Sequence, residues 1–250
     1  MKTSVIQIII TIFFIFLITY QGYCRPLVSD VKNSITKADL VWAQSDGLRS
    51  EIFLSSLKDK KWSAPLQLTD DNADNLHPAI DTAADGTKWI AWTAVEDGSY
   101  SIRAMSIMGQ QKEEPQVVSA DLAGSIYPMI IIDNNNIPLI VWSGNDGSND
   151  DIFYSRFLQS KWQKPQRLHP TNTVPDIQPV VLLNSDGEVF AQWKRYINGS
   201  YYPLQSKWTG TQWSSPVLVN NPDKISEPTD IDGPEDMSKS ADNLFLKLYN

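Results

Sequence analysis

The chain has 250 residues, enough to bury one sizeable core or a row of small ones. Its formal net charge of -8 argues against a nucleic-acid partner, whose phosphates draw on clustered Lys and Arg, and gives no support to an anionic lipid surface. Nine Trp are costly to leave in water, so the fold must bury indoles repeatedly.

The first element is a targeting segment. Lys2 supplies a short positive start, and Val5 to Tyr20 is apolar except for Gln7, Thr11 and Thr19. That run suits a secretory signal and is short for a membrane span. Gly22 and Cys24 are small residues placed for cleavage after Cys24, so residues 1–24 read as a signal sequence. Cleavage there would leave a body without cysteine, since Cys24 is the only one. Two alternatives stay open: a lipid carried on Cys24, although Tyr23 before it is bulky, or an uncleaved anchor. Each leaves the body secreted, periplasmic or otherwise outside the cytoplasm.

Residues 27–250 carry an internal repeat. Trp42, Trp92, Trp142 and Trp193 are spaced by 50, 50 and 51 residues, and Pro65, Pro115, Pro165 and Pro216 keep the same steps. Pro78, Pro128, Pro179 and Pro228 form a third series. Asp46-Gly47, Asp97-Gly98, Asp146-Gly147 and Asn198-Gly199 run in phase with these. Trp62, Trp162 and Trp213 precede the first proline series by three positions, with Lys112 in the second repeat instead. The repeats span 27–76, 77–126, 127–177 and 178–228, with a partial one at 229–250.

Each repeat reads as four short strands. In the second these are His77 to Thr82, Lys88 to Ala94, Tyr100 to Ile107 and Pro115 to Ser119; in the third, Pro128 to Ile132, Pro138 to Trp142, Asp151 to Phe157 and Pro165 to Leu168. The segments are rich in Ile, Val, Trp and Tyr, and Asp-Gly pairs mark the turns. No helical period is sustained. Four strands per 50 residues predict an all-β, propeller-like array of about four antiparallel blades, with a fifth incomplete. Stacking lets each sheet cover the next, and Trp42, Trp92, Trp142 and Trp193 are expected between blades. The tail from Glu227 on could begin a fifth blade, leave an open ring that invites a homo-oligomer, or return a strand to the first blade as a clasp.

The turns Ser55 to Trp62, Ser155 to Trp162 and Ser206 to Trp213 resemble the Ser-x-Asp-x-Gly-x-x-Trp box of sialidase-like, Asp-box (BNR) propellers. Ser and Trp keep the box separation, and Gly210 matches its glycine once. Leu57, Phe157 and Trp208 stand where the box has aspartate. The resemblance covers about residues 27–228. It implies a propeller, and for active members an arginine triad with a Tyr–Glu nucleophile and an acid/base Asp. Arg25, Arg49, Arg103, Arg156, Arg167 and Arg195 do not reproduce that setting, so no catalytic residue is assigned.

Other chemistry is sparse. His77 and His169 lack metal-ligand spacing around them, and no nucleophile elbow or phosphate loop occurs. The oxygen-rich segments Asp70 to Asn75 and Asn145 to Asp151 could hold Ca²⁺ or simply form turns; no other cofactor is implied. A ligand site is expected where second-to-third-strand turns meet the starts of the innermost strands. It would draw on Arg49, Tyr100, Asn149 and Tyr201, with His77, Tyr127, Gln178 and Glu227 nearer the axis. Asn198-Gly199-Ser200 is a glycosylation sequon, relevant in a eukaryotic host. The function these residues suggest is a non-enzymatic exported binding or scaffold propeller for a glycan or protein ligand. A divergent, sialidase-like glycoside hydrolase and an inactive blade-deficient fragment are the alternatives.

Overall fold

The computed structural model describes residues 37–219 and 244–249. The signal sequence, Glu227 and most of the partial fifth repeat lie outside them. Contacts divide the chain into two units, of which Met1–Ile35 with Asn221–Ile231 lies outside the described residues. The other unit, Thr36–Asn220 with Asp232–Asn250, holds the strands that follow.

All described regular structure is strand, in four antiparallel sheets. The first contains β1 (Lys37–Ser45), β2 (Ser50–Lys58), β3 (Lys61–Trp62) and β4 (Leu66–Gln67). The second contains β5 (Asp74–Thr82), β6 (Lys88–Glu96), β7 (Ser99–Met108), β8 (Gln111–Lys112) and β9 (Gln116–Val117). The third contains β10 (Gly124–Ile132), β11 (Pro138–Asn145), β12 (Asp150–Leu158), β13 (Lys161–Trp162) and β14 (Gln166–Arg167). The fourth contains β15 (Asp176–Leu183), β16 (Val189–Ile197), β17 (Ser200–Lys207) and β18 (Val217–Leu218). β19 (Leu244–Tyr249) pairs antiparallel with β1 and so takes the innermost place in the first sheet. The tail therefore returns to the start of the array.

Each blade is one meander, and local chemistry sets its turns. Asp97 and Gly98 both have positive φ in the two-residue turn between β6 and β7, as do Asn198 and Gly199 between β16 and β17. That geometry matches the twist of the flanking strands. In the first three blades proline splits the outer strand, because it cannot donate to a ladder: Pro65 lies between β3 and β4, Pro115 between β8 and β9, and Pro165 between β13 and β14. The Asp-box-like turns lie between the third strand and this outer strand. There Ser55, Ser155 and Ser206 donate to the carbonyls of Ser63, Gln163 and Ser214 at 2.9, 2.6 and 2.6 Å. In place of the box aspartate, Leu57, Phe157 and Trp208 pair across the turn with Trp62, Trp162 and Trp213. An apolar cross-strand pair thus replaces a polar turn anchor.

The inner strands begin earlier than the sequence pattern suggests, at Asp74 and Gly124 rather than His77 and Pro128. The cause is a bulge. His77, Tyr127 and Gln178, each just before a proline, have φ of 49°, 56° and 54°, and the register shifts there in all three sheets. Left-handed backbone at a non-glycine residue costs on the order of 1 kcal/mol, but it lets pairing resume beyond the proline. The bulge also frees an N–H for the preceding sheet: Tyr127 N donates to Thr93 Oγ1 at 3.2 Å, and Gln178 N to Ser143 Oγ at 3.1 Å.

Three apolar cores lie between successive sheets. Val41, Ile52 and Leu54 meet Ile90, Trp92 and Met105. Ala79, Ala91 and Ile102 meet Ile130, Ile140 and Trp142. Val141, Ile152 and Tyr154 meet Val181, Ala191 and Trp193. At each junction the buried indole N–H finds an acceptor 17 residues earlier on the adjoining inner strand. Trp92 donates to Asn75 Oδ1 (2.7 Å), Trp142 to Ser125 Oγ (3.1 Å) and Trp193 to Asp176 Oδ1 (2.6 Å). Trp42 differs: it is half-buried, stacks on Phe53 of its own sheet at 5.7 Å, and donates to the nearby Gln44 Oε1 at 3.3 Å. Gly144 is required beside the second indole, since a Cβ there would lie 2.7 Å from Phe153.

Candidate functional site

The turns at Asp46, Asp97, Asp146 and Asn198 lie at the same end of their sheets as the starts of β5, β10 and β15, as the register shows. The three bulges therefore sit at that end, on neighbouring innermost strands. The rings of His77 and Tyr127 come within 4.3 Å of each other, centroid to centroid. Gln178 accepts a hydrogen bond from Lys194 Nζ at 2.9 Å. Tyr100 and Tyr201 are exposed, and Tyr201 packs on Tyr196 across its hairpin at 5.2 Å.

Arg49 and Asn149 reach the loops that follow their turns. Arg49 donates to the Asp71 carbonyl at 3.0 Å and to Asn72 Oδ1 at 2.7 Å, and Asn149 donates to the Val174 carbonyl at 3.0 Å. Each ties the turn before the third strand of one sheet to the loop leading into the next. The structure thus brings His77 and Tyr127 together, places Gln178 at the matching bulge of the next inner strand, and commits Arg49 and Asn149 to loop anchoring.

The oxygen-rich loops are held from within. Asp71 accepts from Ala73 N and Asn75 Nδ2 through Oδ1, and pairs with Arg103 through Oδ2. Asp146 accepts from Ser148 and pairs with Arg167. The Ser148 hydroxyl holds the Asp146 carboxyl below the ordinary carboxylate range, and the backbone N–H groups of Arg49 and Leu48 do the same for Asp46.

A buried ionic cluster at the junction of the third and fourth sheets was not legible as a site. His169 Nε2 lies 3.2 Å from Asp176 Oδ2 and 3.7 Å from Asp151 Oδ1, with all three side chains fully buried. In phase with His169 stand Thr69 and Ser119, whose hydroxyls accept from Ile52 N and Ile102 N at 2.8 Å. The imidazole is larger and sits 3.4 Å from the equivalent Ile152 N. The three ligand-type atoms lie within 4.8 Å of one another, but guanidiniums already supply the positive charge. Arg195 is bidentate on Asp176 at 2.8 and 3.1 Å, and Arg167 Nε lies 3.2 Å from Asp151. Asn172 and Trp193 complete the Asp176 shell at 2.7 and 2.6 Å. A cation would have to enter between two guanidiniums, so the cluster reads as a charge-compensated junction. Burial pushes the Asp151 carboxyl above the ordinary range, with His169 and Arg167 pulling the other way. Aligning Thr69, Ser119 and His169 by phase is the signal that would have found it. Nearby, Tyr154, Arg167, Gln212 and Trp213 line a cleft of about 210 Å³ that contains none of the eight expected ligand residues.

No family model and no curated protein matches the sequence. Solved structures do match in fold. A Dyadobacter fermentans protein of unknown function aligns over 70% of this chain and 60% of its own, with 12% identity and a TM-score of 0.54. A polysaccharide lyase of family PL25, an ulvan lyase, aligns over 76% and 54%, with 10% identity and a TM-score of 0.52. An endo-arabinase from Bacteroides thetaiotaomicron aligns over 73% and 77%, with 13% identity and a TM-score of 0.50. The chain spans little more than half the length of the first two. At such identities the likeness concerns the fold alone: this chain is an all-β array of propeller blades.

Proposed function

We propose that the end of the array carrying the three bulges binds an oligosaccharide and does not cleave it. The observation that carries this reading is the shared bulge, which sets His77, Tyr127 and Gln178 at one position on three neighbouring inner strands, with two of the rings in contact. Imidazole, phenol and carboxamide all hydrogen-bond to hydroxyls, and the exposed rings of Tyr100 and Tyr201 offer apolar faces for sugars. Two of the fold neighbours are named for polysaccharide breakdown, which favours a glycan over a protein ligand. The capture reading over a hydrolase is supported by Asp71 and Asp146, both of whose carboxyl oxygens at this end are engaged by N–H, hydroxyl or guanidinium donors. The apolar run Val5 to Tyr20 in the sequence supports an activity outside the cytoplasm. A binding screen of neutral and acidic oligosaccharides, run with a product-release assay on the same sugars, tests the reading. Retention without product is expected, and Tyr127→Ala should weaken it about tenfold, about 1.4 kcal/mol. Product release would favour a divergent hydrolase, and no retained sugar would overturn the glycan reading.

A further inference from the structure

Where the third and fourth sheets meet beside β14, Tyr154, Arg167, Leu168, Gln212 and Trp213 line the cleft of about 210 Å³. Tyr154 comes from the third sheet and Trp213 from the fourth, with ring centroids 5.8 Å apart and planes nearly perpendicular. Trp213 is 9% exposed, and its indole N–H has no hydrogen-bond acceptor among the described residues. The indoles deeper in the junctions behave otherwise: Trp92, Trp142 and Trp193 each donate to an acceptor. A buried donor left unmatched is a cost that folded chains normally avoid.

The first junction shows what the third lacks. Lys112, in phase with Trp213, reaches back to the preceding sheet and donates to the Leu68 carbonyl at 3.2 Å. Leu168 is the counterpart of Leu68: its N–H donates to the Ile152 carbonyl at 2.8 Å, as that of Leu68 does to Ile52 at 2.7 Å. At the third junction Trp213 packs edge-on against Tyr154 and Trp208 instead, and its N–H does not repeat the bridge. Charge in the cleft is already balanced. Arg167 pairs with Asp146 through Nη2, donates to Thr171 Oγ1 through Nη1 at 3.2 Å, and faces Asp151 with Nε at 3.2 Å. The Tyr154 hydroxyl donates to Gln166, which leaves the phenol oxygen as an acceptor.

We infer that this cleft binds one neutral sugar residue, at a place separate from the bulge end and independently of what binds there. A sugar hydroxyl both donates and accepts. One ring can therefore supply the acceptor missing at Trp213 and the donor that Lys112 supplies at the first junction. Its C–H face suits the aromatic lining. A carboxylate would find no free cation, since Arg167 is spent on Asp146 and Asp151, and an ammonium would meet that guanidinium. At about 210 Å³ the space falls below the roughly 300–1,000 Å³ of pockets for larger ligands, so it takes a single ring rather than a chain.

Titration with glucose, galactose, arabinose and rhamnose, each alone, tests this through the proton–nitrogen NMR signals of the indole N–H groups. The signal missing from Trp213→Phe identifies Trp213. At least one sugar should move that signal saturably, and Trp213→Phe should bind the same sugar about tenfold more weakly. Tyr127→Ala, at the bulge end, should bind it like the parent. Gln212 is exposed, so Gln212→Trp should block the cleft and abolish binding with the melting temperature kept. The inference is overturned if no sugar shifts the Trp213 signal, or if Gln212→Trp binds like the parent. Binding lost in Tyr127→Ala and untouched in Gln212→Trp would overturn it while sparing the glycan reading of the bulge end. Sugar held in the cleft with no oligosaccharide retained at the bulge end would do the reverse.

Discussion

The two ends of the array treat the same structural positions in opposite ways. On the last sheet, the face turned away from its neighbour carries Gln192, Lys194 and Gln205. The positions in phase on inner sheets are Ala91 and Val141, Thr93 and Ser143, and Ala104 and Tyr154. Gln192 donates to Gln205 at 2.8 Å, so this polar face satisfies itself. On the first sheet, the face turned the other way keeps Leu40, Trp42, Phe53 and Leu57, all half-buried. A terminal repeat needs a polar outer face if nothing stacks on it. The fourth sheet has been given one. The first has instead received a strand from the far end of the chain.

The largest test of that difference is at the indoles. Trp142→Ala removes a fully buried ring between the second and third sheets and should cost about 3–5 kcal/mol in urea unfolding. Trp42→Ala should cost about 1 kcal/mol, in keeping with its half-buried stack on one ring; equal losses would break the comparison. A smaller contrast comes from exchanging the outer-face residues. Ala91→Gln forces an amide into a dry junction and should cost about 3 kcal/mol, whereas Gln192→Ala should stay within about 0.5 kcal/mol.

The smallest effect concerns acid. The folded-state value of Asp151 is raised above 3.8, so on acidification the folded chain takes up this proton before the unfolded chain does. This group therefore adds stability as pH falls through the raised value towards 3.8, and ionised Asp151 is a burden at neutral pH. Asp151→Asn should melt slightly above the parent at pH 7, and the gap should close on acidification. A gap that widens instead would show that the guanidinium and imidazole outweigh burial.

Much of the fold was legible because it recurs: four markers holding one period indicate stacked sheets whatever the individual side chains do. What could not be read depends on how neighbouring sheets meet. The αL bulges at His77, Tyr127 and Gln178 oppose the local preference of a residue before proline; at Tyr127 and Gln178 a hydroxyl of the preceding sheet accepts the N–H that the bulge turns outward. His169 looked like an ordinary loop histidine because Asp151 and Asp176, which surround it, are distant in pattern and close only after two sheets pack. Of the expected ligand residues, His77, Tyr127 and Gln178 follow from the end of the blades where turns and inner strands meet, and they stand at equivalent bulges of β5, β10 and β15. Arg49 and Asn149 follow from their place in the second-to-third-strand turns, and their bonds to the next loop depend on how neighbouring sheets meet.

The proline-split rims have a consequence for life at high concentration. A stranger's strand reaching any of the first three rims finds runs of two residues, Lys61–Trp62 or Leu66–Gln67 for example, with a proline between them. Fibril growth needs a long, flat row of unsatisfied backbone groups to copy, and such a rim offers only fragments of one. These three margins can therefore be crowded together without seeding cross-β growth.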